Sequence, residues 1–126
     1  MKHYEDIESD DSFDMAVEWM RHGNLEKAVR YLARSIELNP HFTYAYIALA
    51  RAFASQKKYT EAVHTLKRAT RIDPGFSRLR YLMAKYSYRI GDYRSALGHI
   101  DRAIAIDGSE LYHRAREIIE GRFRSG

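Results

Sequence analysis

Cysteine is absent from this chain of 126 residues, which removes disulfides, thiolate nucleophiles and sulfur-ligated metals from consideration. Proline occurs twice and tryptophan once, so neither a proline-rich linker nor a tryptophan-lined site is available. No run reaches the ~18 apolar residues that a membrane-spanning helix needs, and membrane insertion is not expected. The six histidines, at 3, 22, 41, 64, 99 and 113, include no His-x-x-x-His pair and form no evident metal set with nearby acids. There is no glycine-rich phosphate loop, because Gly23, Gly91 and Gly98 recur at turn or helix positions. Serine nucleophile motifs are missing as well. Together these absences predict a protein with no catalytic residues, no metal and no cofactor, and they set enzymes aside.

What is present is a period. Ala28, Ala62 and Ala96 lie 34 residues apart, as do Ala16, Ala50 and Ala84. The same spacing relates Met15, Leu49 and Met83; Leu25, Tyr59 and Tyr93; Leu32, Leu66 and Ile100; Ser35, Ala69 and Ala103; and Leu38, Ile72 and Ile106. A period of that length marks stacked supersecondary units. Within each unit apolar residues return at three- and four-residue steps, as at Met15, Trp19 and Met20 and then Leu25, Ala28, Val29 and Leu32, which predicts two amphipathic helices. The alanine of each first helix faces the alanine of its second, so the two backbones can approach closely. Gly23-Asn24 and Gly91-Asp92 suit a left-handed helix end followed by an N-cap, whereas the middle unit has Lys57-Lys58 there. Asn39-Pro40 and Asp73-Pro74 end the second helices, because proline disfavours helical geometry in the residue before it. The third unit closes on Asp107-Gly108, a looser stop.

These columns resemble the tetratricopeptide repeat (TPR) family: a 34-residue unit with an alanine followed by a large apolar residue four positions later and a closing proline. The resemblance covers residues 9–110, as repeats 9–42, 43–76 and 77–110. It implies an all-α fold, a right-handed α-solenoid of three helix-turn-helix hairpins. Residues 111–121 are expected to form a capping helix with Leu111, Ala115, Ile118 and Ile119 against the stack and Gly121 as its stop. Residues 1–8 read as an acidic leader and residues 122–126 as a flexible tail.

The family resemblance further implies that the first helices line a concave surface, chiefly through the second, fifth, ninth, twelfth and thirteenth residues of each repeat. Here those positions supply Phe13, Tyr44, Ile47, Arg51, Arg78, Tyr81, Lys85, Tyr88 and Arg89 as candidate peptide-binding residues. Aromatic groups and arginine dominate interface hot spots, and arginine grips carboxylates bidentately. The expected ligand is therefore a protein segment that is acidic and partly apolar, and the expected function is that of a non-catalytic interaction scaffold or adaptor. The plainer reading is that the tyrosines pack on neighbouring helices with basic side chains lying over them. The carboxylate clamp of chaperone-tail receptors in this family would fall on Phe13, Val17, Ala48, Arg78 and Leu82, of which only Arg78 fits. The type III secretion chaperones, also built of three such repeats, remain an alternative that no motif here singles out.

Charge is unevenly distributed. Residues 1–14 set Lys2 against Glu5, Asp6, Glu8, Asp10, Asp11 and Asp14, so the formal +4 divides into −5 there and +9 over the remaining 112 residues. A basic array favours anionic partners. The acidic leader has the composition of a ligand for that array, and we expect either a fold-back onto the groove or a solubilising tail that merges into helix one near Asp11. Such an acidic start is the opposite of a signal peptide's, and the expected location is cytoplasmic. Arg34, Arg68 and Arg102 form a ladder on the second helices, joined by Arg30, His64, Lys67 and His99. That ladder follows the family consensus, so it does not select for nucleic acid. Sixteen aromatic residues are many for a short array to bury, and the alternative function is self-assembly into homo-oligomers.

Overall fold

The structure is a computed structural model, described over residues 4–125. Seven helices are present among those residues: α1 (Tyr4–Arg21), α2 (Leu25–Leu38), α3 (Thr43–Ser55), α4 (Tyr59–Ile72), α5 (Ser77–Ile90), α6 (Tyr93–Ile106) and α7 (Glu110–Ser125). Consecutive helices pack on one another, which makes an α-solenoid of three hairpins, α1–α2, α3–α4 and α5–α6, closed by α7. No described helix is long and apolar enough to cross a membrane.

The alanine columns explain how each hairpin closes. Ala16, Ala28, Ala50, Ala62, Ala84 and Ala96 are all inaccessible to solvent or nearly so, and a larger side chain at any of them would force the paired backbones apart. Behind them Leu32, Leu66 and Ile100 fill the interior of the second helices with no exposed surface. One continuous core runs from Ala16 to Tyr86, and a second gathers Ala84, Ala96, Ile100, Ala103, Tyr112 and Ile119 beneath α7. In the first hairpin the column that ends in Ala69 and Ala103 carries Ser35 instead. Ser35 Oγ donates to the Ser9 carbonyl at 2.9 Å and Ser9 Oγ donates to the Ser35 carbonyl at 2.7 Å, so both buried hydroxyls are satisfied.

The three inner turns share one geometry built from two chemistries. The N–H of Gly23, Lys57 and Gly91 each bonds the carbonyl three residues back, and the next N–H reaches five residues back, to Trp19, Phe53 and Ser87. This wrapping needs a positive φ, which is 79° at Gly23, 88° at Gly91 and 62° at Lys57. Asn24 and Asp92 then cap α2 and α6 by accepting from the N–H of Lys27 and Ser95, whereas Lys58 offers α4 no side-chain cap. Between hairpins, the N–H groups of Asn39, Asp73 and Asp107 close their helices on Ser35, Ala69 and Ala103. Tyr46 Oη donates to the Pro40 carbonyl at 2.8 Å and ties the first linker to α3.

Both ends differ from the sequence reading. The first helix starts at Tyr4, so the acidic stretch supplies its opening turns and does not fold back onto a groove; residues 1–3 lie outside the described residues. Ser9, already inside the helix, is locked to Ser35, which holds that segment in line. At the other end α7 continues through Gly121 to Ser125, where a stop and a flexible tail were expected. A glycine within a helix costs only about 1 kcal/mol. The residues beyond it are anchored: Arg122 donates to Tyr93 Oη at 3.1 Å, Arg94 lies over the Phe123 ring, and Arg124 pairs with Glu120. The face that α7 turns to the stack is also rotated from expectation. Tyr112 and Ile119 are buried and Ala115 half-buried, but Leu111 and Ile118 remain 57% and 61% exposed.

Candidate functional site

The first helices, with α7 continuing their series, present the candidate site. On α5, Ala84 and Lys85 lie three and four residues after Tyr81 and four and three before Tyr88, which places all four along one face. Across from them α7 contributes Ala115, Ile118 and Ile119, and together these residues enclose a slot of about 110 Å³ that is apolar except for Lys85. Its walls are fixed by aromatic contacts. Tyr81 stacks on Tyr112 with centroids 5.2 Å apart, the Tyr112 hydroxyl meets Ser77 Oγ at 3.1 Å, and Tyr88 leans on Tyr93 at 5.4 Å.

The candidate residues from the sequence fall into distinct settings. Tyr81, Lys85 and Tyr88 meet at the slot. Arg51 and Arg78 are exposed on α3 and α5 and act on one phenol, that of Tyr86. Burial pushes the Tyr86 hydroxyl above the usual phenol range, and the two guanidinium charges pull it partway back. Tyr44 is 61% exposed and meets the edge of Phe76, while Phe13 is half-buried against Phe42 at 4.9 Å. Ile47, expected as a contact residue, is only 6% exposed and belongs to the core. Arg89 is exposed in the last turn of α5, away from the slot. The tyrosines thus pack on neighbouring helices and still show a face to solvent.

Arg51, Arg78, Lys85 and Arg89 make no ion pair within 4.0 Å among the described residues. Of these four cations Lys85 alone lines the slot. Its α7 wall was missed by the sequence reading, although the signal was there. Continuing the 34-residue count places Ala115 and Ile119 in the columns of Tyr81 and Lys85, so α7 extends the lining as well as covering the stack.

The sequence model of the tetratricopeptide repeat matches residues 20–86 and again residues 53–119. The chain belongs to the tetratricopeptide repeat family. Among curated proteins, the TPR chain is 26% identical over 88 residues to Superkiller protein 3 of Schizosaccharomyces pombe, an alignment covering 70% of this chain and 6% of that protein. The chain spans between 6% and 20% of the length of the curated relatives it matches. Among solved structures, the type III secretion chaperone SycD of Yersinia enterocolitica, in complex with a peptide of the translocator YopD, aligns with a TM-score of 0.81 at 15% identity, covering 92% of each chain. The first TPR domain of Spaghetti (RPAP3), bound to the HSP90 peptide SRMEEVD, aligns with a TM-score of 0.82 at 10% identity, covering 95% of this chain and 94% of that one. At these identities the likeness is one of fold. At the clamp positions named from the sequence, Phe13, Val17 and Ala48 are half-buried, Leu82 is buried and Arg78 alone is an exposed cation.

Proposed function

We propose that this TPR domain is a non-catalytic interaction module that binds an acidic, partly apolar protein segment along its first helices. The observation that carries the reading is the slot between α5 and α7, apolar within and edged by Lys85. An apolar side chain of the ligand fills the slot, and its carboxylates meet Lys85, Arg78 and Arg51, none of which has an ion-pair partner among the described residues. Two proteins of the same fold hold peptides, and the RPAP3 ligand SRMEEVD combines acids with Met and Val. Phe13, Tyr44, Tyr88 and Arg89 are proposed as further contacts. The test uses labelled peptides carrying alternate Leu and Glu, with a Leu and Lys series as control. The acidic series binds, and Arg51→Glu with Lys85→Glu weakens it by about ten-fold or more, as expected when two charge-assisted contacts are reversed. Equal binding of both series, or an unchanged affinity in the double variant, sinks the assignment.

The competing reading is self-assembly through α7, favoured by the exposure of Leu111 and of the slot-lining Ile118 seven residues apart on that helix. Light scattering over a concentration series separates the two. A mass that rises with concentration and falls back in Leu111→Glu supports assembly, and a constant monomer mass removes it.

A further inference from the structure

On the face opposite the groove, the arginine ladder of the second helices is neutralised differently in each repeat. Arg34 pairs with Glu37 at 3.6 Å, and Arg68 lies over the Tyr46 ring with its guanidinium carbon 5.2 Å from the centroid. For Arg102 the residue in the Tyr46 column is Arg80, a second cation. The surroundings change with it. The notch beneath Arg68 is lined by Ala33, Ile36, Glu37, Pro40, Tyr46 and Leu49, which hold one acid against Arg68. Moved on by 34 residues these become Lys67, Thr70, Arg71, Pro74, Arg80 and Met83 beside Arg102, four cations and no acid.

None of those four cations makes an ion pair within 4.0 Å among the described residues. Helix α5, which carries Arg80, contains no acid, and Asp101 on α6 is held by Arg116 at 2.7 Å. Arg80 Nε and His99 Nδ1 are shielded from water and lack any hydrogen-bond partner. A buried polar atom without a partner is a standing cost, and a half-buried guanidinium beside like charges adds to it. The electrostatics agree: burial and then Arg102 lower the Arg80 guanidinium, and burial followed by Arg80, Arg102 and Lys67 lowers His99, with Asp92 pulling weakly the other way.

We propose that the cluster of Lys67 on α4, Arg80 on α5 and Arg102 on α6 around His99, which takes the place of the Arg68 notch one repeat on, binds a dianionic phosphate. A carboxylate presents two oxygens in one plane and is served by one guanidinium. A phosphate monoester or free phosphate turns oxygens in several directions and meets cations arriving from three helices at once. This site is independent of the peptide groove, and either can fail without the other.

The experiment titrates the labelled full chain with inorganic phosphate at constant ionic strength held by sodium chloride, following the His99 ring and the Arg80 Nε–H by NMR. Parallel arms use O-phosphoserine and a short DNA duplex, whose phosphates are monoanionic diesters. Saturable shifts confined to this cluster, with the His99 titration midpoint moving upward in bound protein, support the site. Phosphoserine binding as well as phosphate does identifies monoesters as ligands, and phosphate alone identifies the free ion. Arg80→Tyr restores the residue that repeat two uses at this place, so the fold is expected to hold, and affinity is expected to drop by about ten-fold or more. Arg102→Gln, exposed and remote from the core, gives the same loss should Arg80→Tyr disturb folding. Shifts that track chloride equally, binding by the duplex without phosphate binding, or affinity within two-fold of the parent in a folded variant each overturn the proposal.

Discussion

Lys57 is the one non-glycine residue with positive φ among the described residues, and it holds a place that Gly23 and Gly91 fill in the other two hairpins. For an L-residue the left-handed region costs roughly 1–2 kcal/mol, because Cβ crowds the neighbouring carbonyl oxygen. Replacing Lys57 by Gly removes that cost but loosens the unfolded chain by about 0.4–1 kcal/mol, leaving a net gain of about 0.5–1 kcal/mol. The hydrogen bonds of the turn are main-chain and survive the change: Lys57 N–H to Ala54 at 2.9 Å and Lys58 N–H to Phe53 at 2.8 Å. With an unfolding entropy near ~2.1 cal/mol/K per residue, a chain of this size melts about 2–4 °C higher. Thermal and urea unfolding followed by circular dichroism measure the gain, and the urea midpoint should move at constant slope. Gly23→Lys and Gly91→Lys are the mirror experiment. No atom lies within 4 Å of a Cβ added at either glycine, so their cost is torsional alone and should equal the gain in size with opposite sign. A Lys57→Gly protein no more stable than its parent, with the two reverse variants destabilised, refutes the reasoning, because conformation would then not be what the middle turn pays.

Three further outcomes follow from the same structure. Lys58→Asp supplies α4 with the side-chain cap that Asn24 and Asp92 give α2 and α6, and should raise stability by about 1 kcal/mol in the same urea assay. Ser35→Ala removes the hydroxyl that donates to the Ser9 carbonyl and contacts Ser9 Oγ, while Ser9 Oγ keeps its bond to the Ser35 carbonyl, and should cost about 1 kcal/mol; the Ser9→Ala, Ser35→Ala pair should cost less than the sum of the two single changes, and strict additivity in the double-mutant cycle contradicts the coupled pair. His99 is lowered in the folded protein, so below the unfolded histidine value near ~6.5 the unfolded chain takes up a proton that the native one resists. Stability should therefore fall as pH drops through that window and level off below the folded value, and His99→Gln should flatten the slope of midpoint against pH.

The residues whose roles were legible in the sequence are those whose environment repeats. Ala16, Ala50 and Ala84, or Leu32, Leu66 and Ile100, meet the same neighbours in each hairpin, so identity recurs with environment and the period exposes both. The turn at Lys57-Lys58 was legible as a weak link for the same reason, by contrast with the glycines above and below it. Legibility fails where the stack stops. Met15 belongs to the column of Leu49 and Met83, which are buried, yet it is 43% exposed, with no hairpin packed before α1 among the described residues. Ile118 stands in the column of Ala16, Ala50 and Ala84, where small size admits a partner helix. A branched side chain there matches the absence of a second helix behind α7 among the described residues, and it leaves Ile118 free to wall the slot with Tyr81 and Tyr88. An amphipathic pattern alone reported that α7 has an apolar face but not which apolar residues would be covered, since Leu111 and Ile118 look as suitable as Tyr112 and Ile119. The register accounts for Ile118, whose column faces a following helix, but not for Tyr112 and Ile119, which are buried although their columns hold the exposed Tyr44 and Arg78 and the exposed Arg51 and Lys85. The two basic surfaces differ in burial: Arg51, Arg78 and Lys85 vary between repeats on an exposed face, whereas Arg80 departs from Tyr46 at a half-buried position where its Nε has no hydrogen-bond partner.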